Sequence, residues 1–152
     1  MIKLIRVNSF QKKYDSLYRG FMFSWNQGNY LKHLKNRIEW YLYPNIRKVS
    51  KFPPHLDIET TAKCNMYCPM CPRRYVSEER SGIYEAYDHI DMSLYKKLVD
   101  ECADNNIYSI RLSWRGEVLV NSNLPECIYY AKVVRKIPNV SFLTNGSLLK
   151  GE

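Results

Sequence analysis

The sequence predicts an α/β fold: about three parallel strands alternating with helices, preceded by a basic, mostly helical extension. Three observations lead there. From His55 onward, short alternating stretches and amphipathic stretches take turns in the order strand, helix, strand, helix, strand. The rigid step Phe52-Pro53-Pro54 separates that run from a segment of different charge and pattern. The residues with distinctive chemistry all fall just after the three strands, at the carboxyl edge where parallel sheets place their sites.

The extension comes first. Met1–Val7 alternates weakly and reads as a short strand. Phe10–Trp25 is aromatic and broken by Gly20, and 26–29 is a turn cluster. A helix is expected over Tyr30–Tyr43, with Leu31, Leu34, Ile38 and Tyr41 as a stripe, Lys32, Lys35 and Arg37 off it, and Pro44 as its stop. Residues 1–54 hold eleven Lys or Arg against Asp15 and Glu39, whereas residues 55–152 hold twelve against thirteen acids, so the net +8 belongs to the extension. Such a segment suits an anionic partner, and a solvated basic helix face is the plainer reading.

The second part, 55–152, is justified element by element. His55–Thr60 alternates Leu56 and Ile58 against Asp57 and Glu59 and reads as a strand. A loop follows over Cys64–Arg74, and the polar, periodless 76–89 is loop as well. Asp91 is placed to cap a helix over Met92–Asp104, with Leu94, Leu98 and Cys102 on one face and Asn105-Asn106 as its end. Ile107–Ser113 is the second strand. Asn123-Leu124-Pro125-Glu126 has the pattern of a capping box with Pro in the first turn, opening a helix to about Lys136 with Cys127, Ile128, Ala131 and Val134 inward. Val140–Thr144 is the third strand, turned by Asn145-Gly146. Two strand–helix–strand units with right-handed crossovers make a parallel sheet.

Length and composition bound the rest. At 152 residues, 45% apolar and 14% aromatic, the chain can bury a core. Its mean hydropathy is −0.45. It has no apolar run near membrane-spanning length and no secretory signal pattern, so the expected address is cytoplasmic. Five cysteines argue against a closed disulfide framework. Three of them lie within eight residues as Cys64-x3-Cys68-x2-Cys71, whereas Cys102 and Cys127 each stand alone on an apolar helix stripe and read as core. Three thiolates on one short loop can hold a four-iron cube with one iron left open, whereas a structural zinc site wants a fourth ligand.

This cysteine spacing, on the loop after a first strand, resembles the signature of the radical SAM (S-adenosylmethionine) superfamily. The string Cys68-Pro69-Met70-Cys71-Pro72-Arg73 looks like its maturase and sugar- or peptide-modifying subgroup with a SPASM-type C-terminal region. The resemblance implies a partial (β/α) barrel and a [4Fe–4S] cluster on Cys64, Cys68 and Cys71, whose open iron chelates SAM. It further implies reductive cleavage of SAM to a 5′-deoxyadenosyl radical that abstracts hydrogen from a substrate. Met70 stands where the family often has an aromatic near the adenine. Gly116-Glu117 resembles the family's GGE-type SAM motif, with Arg115 where a further Gly is frequent and Val118 where Pro is frequent. Thr144, Asn145 and Gly146 resemble its third-strand ending, and Thr144 is the residue expected to bond SAM. For Glu117 the plainer alternative is a solvated loop acid, and for Asn145-Gly146 it is turn chemistry. Arg73, Arg74, Arg111 and Arg115 are candidates for a carboxylate of SAM or of an acidic substrate. Tyr67 and Trp114 either shape the pocket or pack in the core, and His89 reads as structural.

The resemblance covers about residues 53–149 and ends with the chain, which implies half a barrel and a fragment of a longer protein. The partners it implies are an electron donor such as flavodoxin or ferredoxin and a substrate that is a peptide, a sugar or another small molecule. Two other readings stay open. One is a non-catalytic metal-binding or interaction module working through the basic segment. The other is a basic RNA-binding module, which lacks the aromatic-and-basic platform of single-strand binders; nucleic acid is therefore not the expected partner.

Overall fold

The computed structural model describes residues 18, 19, 22, 25, 30–71 and 89–149. The readings for Met1–Val7, for most of Phe10–Trp25, for Arg73 and Arg74 and for 76–88 lie outside the described residues. The chain forms two compact units, Met1–Ser50 and Lys51–Glu152.

The first unit contains helix α1, Tyr30–Asn45, with Pro44 inside its last turn. Its expected inward stripe faces the other way. Leu31, Leu34, Ile38 and Tyr41 are exposed, whereas His33 and Asn36 are buried. An apolar stripe marks a face able to be covered; it does not say that the face is covered. Burial, and to a lesser degree the neighbouring Arg37, push the His33 imidazole below its ordinary value.

The second unit is a three-stranded parallel sheet of β1 (His55–Asp57), β2 (Ser109–Arg111) and β3 (Asn139–Ser141), in that order. Each strand is shorter than its pattern suggests. The ladder register puts Leu56, Ile110 and Val140 side by side, and His55, Ser109 and Asn139 beside one another a residue earlier. Because strand side chains alternate, one face is apolar and the other polar. The apolar face meets helix α2 (Met92–Asp104) and helix α3 (Leu124–Tyr129) in one core of Ile58, Tyr95, Val99, Cys102, Ile110, Leu112, Cys127 and Ala131. The polar face carries a ladder. His55 Nδ1 lies 2.6 Å from Ser109 Oγ, His55 Nε2 lies 2.9 Å from Asp57 Oδ1, and the Arg111 guanidinium donates to Asp57 Oδ2 at 2.6 Å. Burial raises the Asp57 carboxyl, and the Arg111 and His55 bonds outweigh it, leaving it below the usual range. Helices α2 and α3 thus pack on the apolar face of this open sheet.

Helix α2 starts as expected: the Asp91 side chain accepts from the amides of Ser93 and Leu94. It ends at Asn105, with Asn106 in the left-handed region at φ 55°. Its buried residues are Tyr95, Val99 and Cys102 rather than the expected Leu94, Leu98 and Cys102. Tyr95 outcompetes Leu94 because its larger ring is fully buried while its hydroxyl donates to Cys127 O at 2.7 Å. The expected capping box at α3 does not form, since Asn123 makes no side-chain cap bond. Asn121 does that work instead: its Oδ1 accepts from Asn123 N at 2.9 Å, and its amide donates to Thr60 O at 3.0 Å. After Tyr129 the helix widens into a π turn over Tyr130–Val134 and stops at Arg135 and Lys136, the latter at φ 55°. Cys102 and Cys127 lie in the core, as their stripes suggest, and burial foremost pushes both thiols up to about 11.

Candidate functional site

The carboxyl ends of the three strands are knotted together. Thr60, Thr61 and Ala62, which lead from β1 into the cysteine loop, are all buried. The Thr60 hydroxyl donates to Leu112 O at 3.0 Å, and Thr60 O accepts from Ile90 N at 3.0 Å as well as from Asn121. Three residues on, Lys63 O accepts from Glu117 N at 2.8 Å. Gly116 lies hard against this turn. A Cβ there would sit 2.3 Å from Thr61 O and 2.7 Å from Lys63 O, so only glycine allows the two backbones to meet. This close approach joins the end of β2 to the stem of the cysteine loop.

Glu117 is 3% exposed, and its carboxylate is filled by the protein. Oε1 accepts from Leu119 N at 3.1 Å and from the Thr144 hydroxyl at 2.6 Å, and Oε2 accepts from Asn145 N at 2.7 Å. Burial raises this carboxyl, but the donors from Asn145, Thr144 and Leu119 outweigh that and hold it below its ordinary value. It is not a solvated loop acid. Thr144, expected to bond SAM, directs its hydroxyl hydrogen at Glu117 and accepts from Gly146 N at 3.0 Å.

A second tie lies further out. Asn145 Nδ2 donates to Asn65 Oδ1 at 3.0 Å, Asn65 Nδ2 donates to Ser147 Oγ at 2.8 Å, and Ser147 Oγ donates to Asn145 Oδ1 at 2.7 Å. The three side chains close a ring that joins the third-strand loop to the residue after Cys64. Sequence reading did not single out Asn65 or Ser147. The one available signal was that Asn145 and Ser147 form an Asx turn, with Ser147 N donating to Asn145 Oδ1 at 2.9 Å.

The sulfurs of Cys64, Cys68 and Cys71 sit on this loop, each half-buried, and Cys71 N donates to Cys68 O at 3.0 Å. Their donor chemistry fits a thiolate-held cluster. Among the described residues no three His, Cys, Asp or Glu side chains converge as a ligand group. Met70 is 84% exposed, and Tyr67 and Trp114 are exposed rather than in the core. Of the arginines, Arg111 is engaged by Asp57, and Arg115 grips both oxygens of Glu59 at 3.1 and 2.6 Å. His89 pairs with Thr61 in an isolated antiparallel bridge, a structural place.

No family model matches the chain. Over 100 residues it is 31% identical to the antilisterial bacteriocin subtilosin biosynthesis protein AlbA of Bacillus subtilis, covering 66% of this chain and 20% of AlbA. Over 93 residues it is 33% identical to the probable GTP 3′,8-cyclase of Methanococcus maripaludis, covering 61% of this chain and 29% of that protein. The structure of BtrN in complex with AdoMet and 2-DOIA superposes with a TM-score of 0.55 at 22% identity, over 67% of this chain and 39% of BtrN. These relatives are radical SAM enzymes. The chain is related to the radical SAM superfamily. Its open three-stranded parallel sheet matches part of the radical SAM barrel fold. The chain spans between a fifth and a third of the length of the curated relatives it matches. Among the described residues no helix is long and apolar enough to cross a membrane.

Proposed function

We propose that this chain is the cluster- and SAM-binding part of a radical SAM enzyme, with Cys64, Cys68 and Cys71 as the ligands of a [4Fe–4S] cluster. The observation that carries the reading is the placement of the cysteine loop. It leaves the carboxyl end of β1 and is tied to the ends of β2 and β3 through Glu117 and Asn145. Kinship with radical SAM enzymes supports it. Bound there, such a cluster would supply the electron for reductive cleavage of SAM.

The chain's own residues do the holding. Gly116 and Glu117 fix the stem of the loop. The exposed Tyr67, Met70 and Leu143 offer apolar surface at the same end of the sheet, suited to a purine ring. The polar ladder of His55, Asp57 and Arg111 faces the space where a polar substrate would lie. A flavodoxin- or ferredoxin-type donor is the proposed source of the electron.

The test is anaerobic reconstitution with iron and sulfide, followed by EPR of the reduced protein with and without SAM. About four irons per chain and a signal that changes on adding SAM is the expected outcome. Zinc binding with no cluster would sink the proposal and favour the plain metal-binding module.

A further inference from the structure

Asn145, just past β3, bonds to the ends of both other strands. Its backbone N–H donates to the buried Glu117 at 2.7 Å, and its side-chain amide donates to Asn65 at 3.0 Å. Asn65 follows Cys64 directly in the chain. Glu117 is in turn held by Leu119 N, and its own N–H is fixed to Lys63 O, the residue before Cys64. Cys64 is therefore bracketed. Lys63 is pinned from the second-strand side, Asn65 from the third-strand side, and Asn145 joins the two. Cys68 and Cys71 lie beyond the bracket, where Cys71 N donates to Cys68 O at 3.0 Å.

From this arrangement we infer that Asn145 is a positioning residue. It locks the Cys64 end of the cysteine loop to the sheet, so that the first of the three cysteines is held in place relative to the ends of β2 and β3. The inference rests on the proposed cluster reading for its purpose, but the lock itself is a property of the chain without metal. The ring has a definite donor sense: each of the three side chains donates once and accepts once within it. Removing the Asn145 side chain breaks two of its three bonds, whereas the bond from Asn145 N to Glu117 belongs to the backbone and survives. Asn145→Asp is a partial rescue: the Asn65 amide can turn over and donate to the new carboxylate, and the Ser147 hydroxyl keeps its bond to it, so two of the three ring bonds are held while Asn65 Oδ1 and Ser147 Oγ face each other with no hydrogen between them.

The experiment has two arms on the full chain. In the metal-free protein, amide hydrogen exchange is measured over residues 62–71 for the native chain, Asn145→Ala and Asn145→Asp. Exchange around Asn65 is expected to speed up about tenfold in Asn145→Ala, which loses every side-chain bond of Asn145, and to fall between native and Asn145→Ala in Asn145→Asp. Exchange in β2 and α2 should not change. In the second arm the reconstituted proteins are challenged with a ferrous chelator, and Asn145→Ala should release its iron several-fold faster than the native chain, with Asn145→Asp between them. If the native chain takes up no iron while the exchange responds as expected, the cluster reading has failed and the lock stands. Unchanged exchange over 62–71 in Asn145→Ala, or a general rise across the whole sheet, overturns the inference whatever the iron does.

Discussion

Glu117 is where burial and charge compete most directly. A buried carboxylate is stable only if its lone pairs are used, and here three donors use them. Glu117→Gln keeps the shape but sets an NH2 against the N–H of Asn145, so one buried donor is left unpaired. The expected cost is about 1–3 kcal/mol in urea unfolding. The pH dependence has a definite sign. The folded carboxyl lies below its ordinary value, so its contribution is present above the ordinary glutamate range of about 4.3 and disappears as pH falls through the lower folded value. Native stability should drop across that acidic window, and the Gln variant should lack this part of the drop. Gly116→Ala should cost about 1–3 kcal/mol, because its methyl would meet carbonyl oxygens rather than a flexible side chain. Gly116 and Glu117 stand out in the sequence only through the resemblance, at their place after the second strand. Their pairing with Thr61, Lys63, Thr144 and Asn145 was not legible, because those residues lie far from them in sequence and only the folded sheet brings them near.

At the scale of elements, the order strand, helix, strand, helix, strand was readable because caps and turn residues are local signals. Asp91 and Asn105-Asn106 bound α2 where expected. The phase of each buried face was less readable. Period alone admitted either Leu94 or Tyr95, and the deciding fact is a hydroxyl bond to Cys127 O on another helix. Tyr95→Phe should therefore destabilise by about 1–2 kcal/mol, because the buried hydroxyl's bond to that carbonyl is lost. Leu94→Ala should stay within about 0.5 kcal/mol, since Leu94 is half exposed. Equal urea midpoints for the two variants would contradict the observed phase. The same logic covers α1, whose apolar stripe is exposed: Ile38→Ser should also change stability by less than about 0.5 kcal/mol.

Across the whole molecule, the five cysteines divide into two kinds that chemistry can separate. Cys102 and Cys127 are fully buried in the core, and their thiols, pushed up to about 11 mainly by burial, stay protonated at neutral pH. A thiol reacts with an alkylating agent as its thiolate and only where the agent can reach it. Cys64, Cys68 and Cys71 sit half-buried on a loop at the open end of the sheet. In the native metal-free chain, iodoacetamide at pH 7 should modify the loop and spare Cys102 and Cys127, which should label only as the chain unfolds in urea. The midpoint of their labelling should match that of the tyrosine fluorescence change, because both report the loss of one core. After reconstitution with iron and sulfide, the loop cysteines should become protected while the core pair behaves as before. Protection confined to the loop would place the metal on Cys64, Cys68 and Cys71. Iron uptake that leaves the loop as reactive as before would place it elsewhere and remove the cysteine loop from the proposed chemistry.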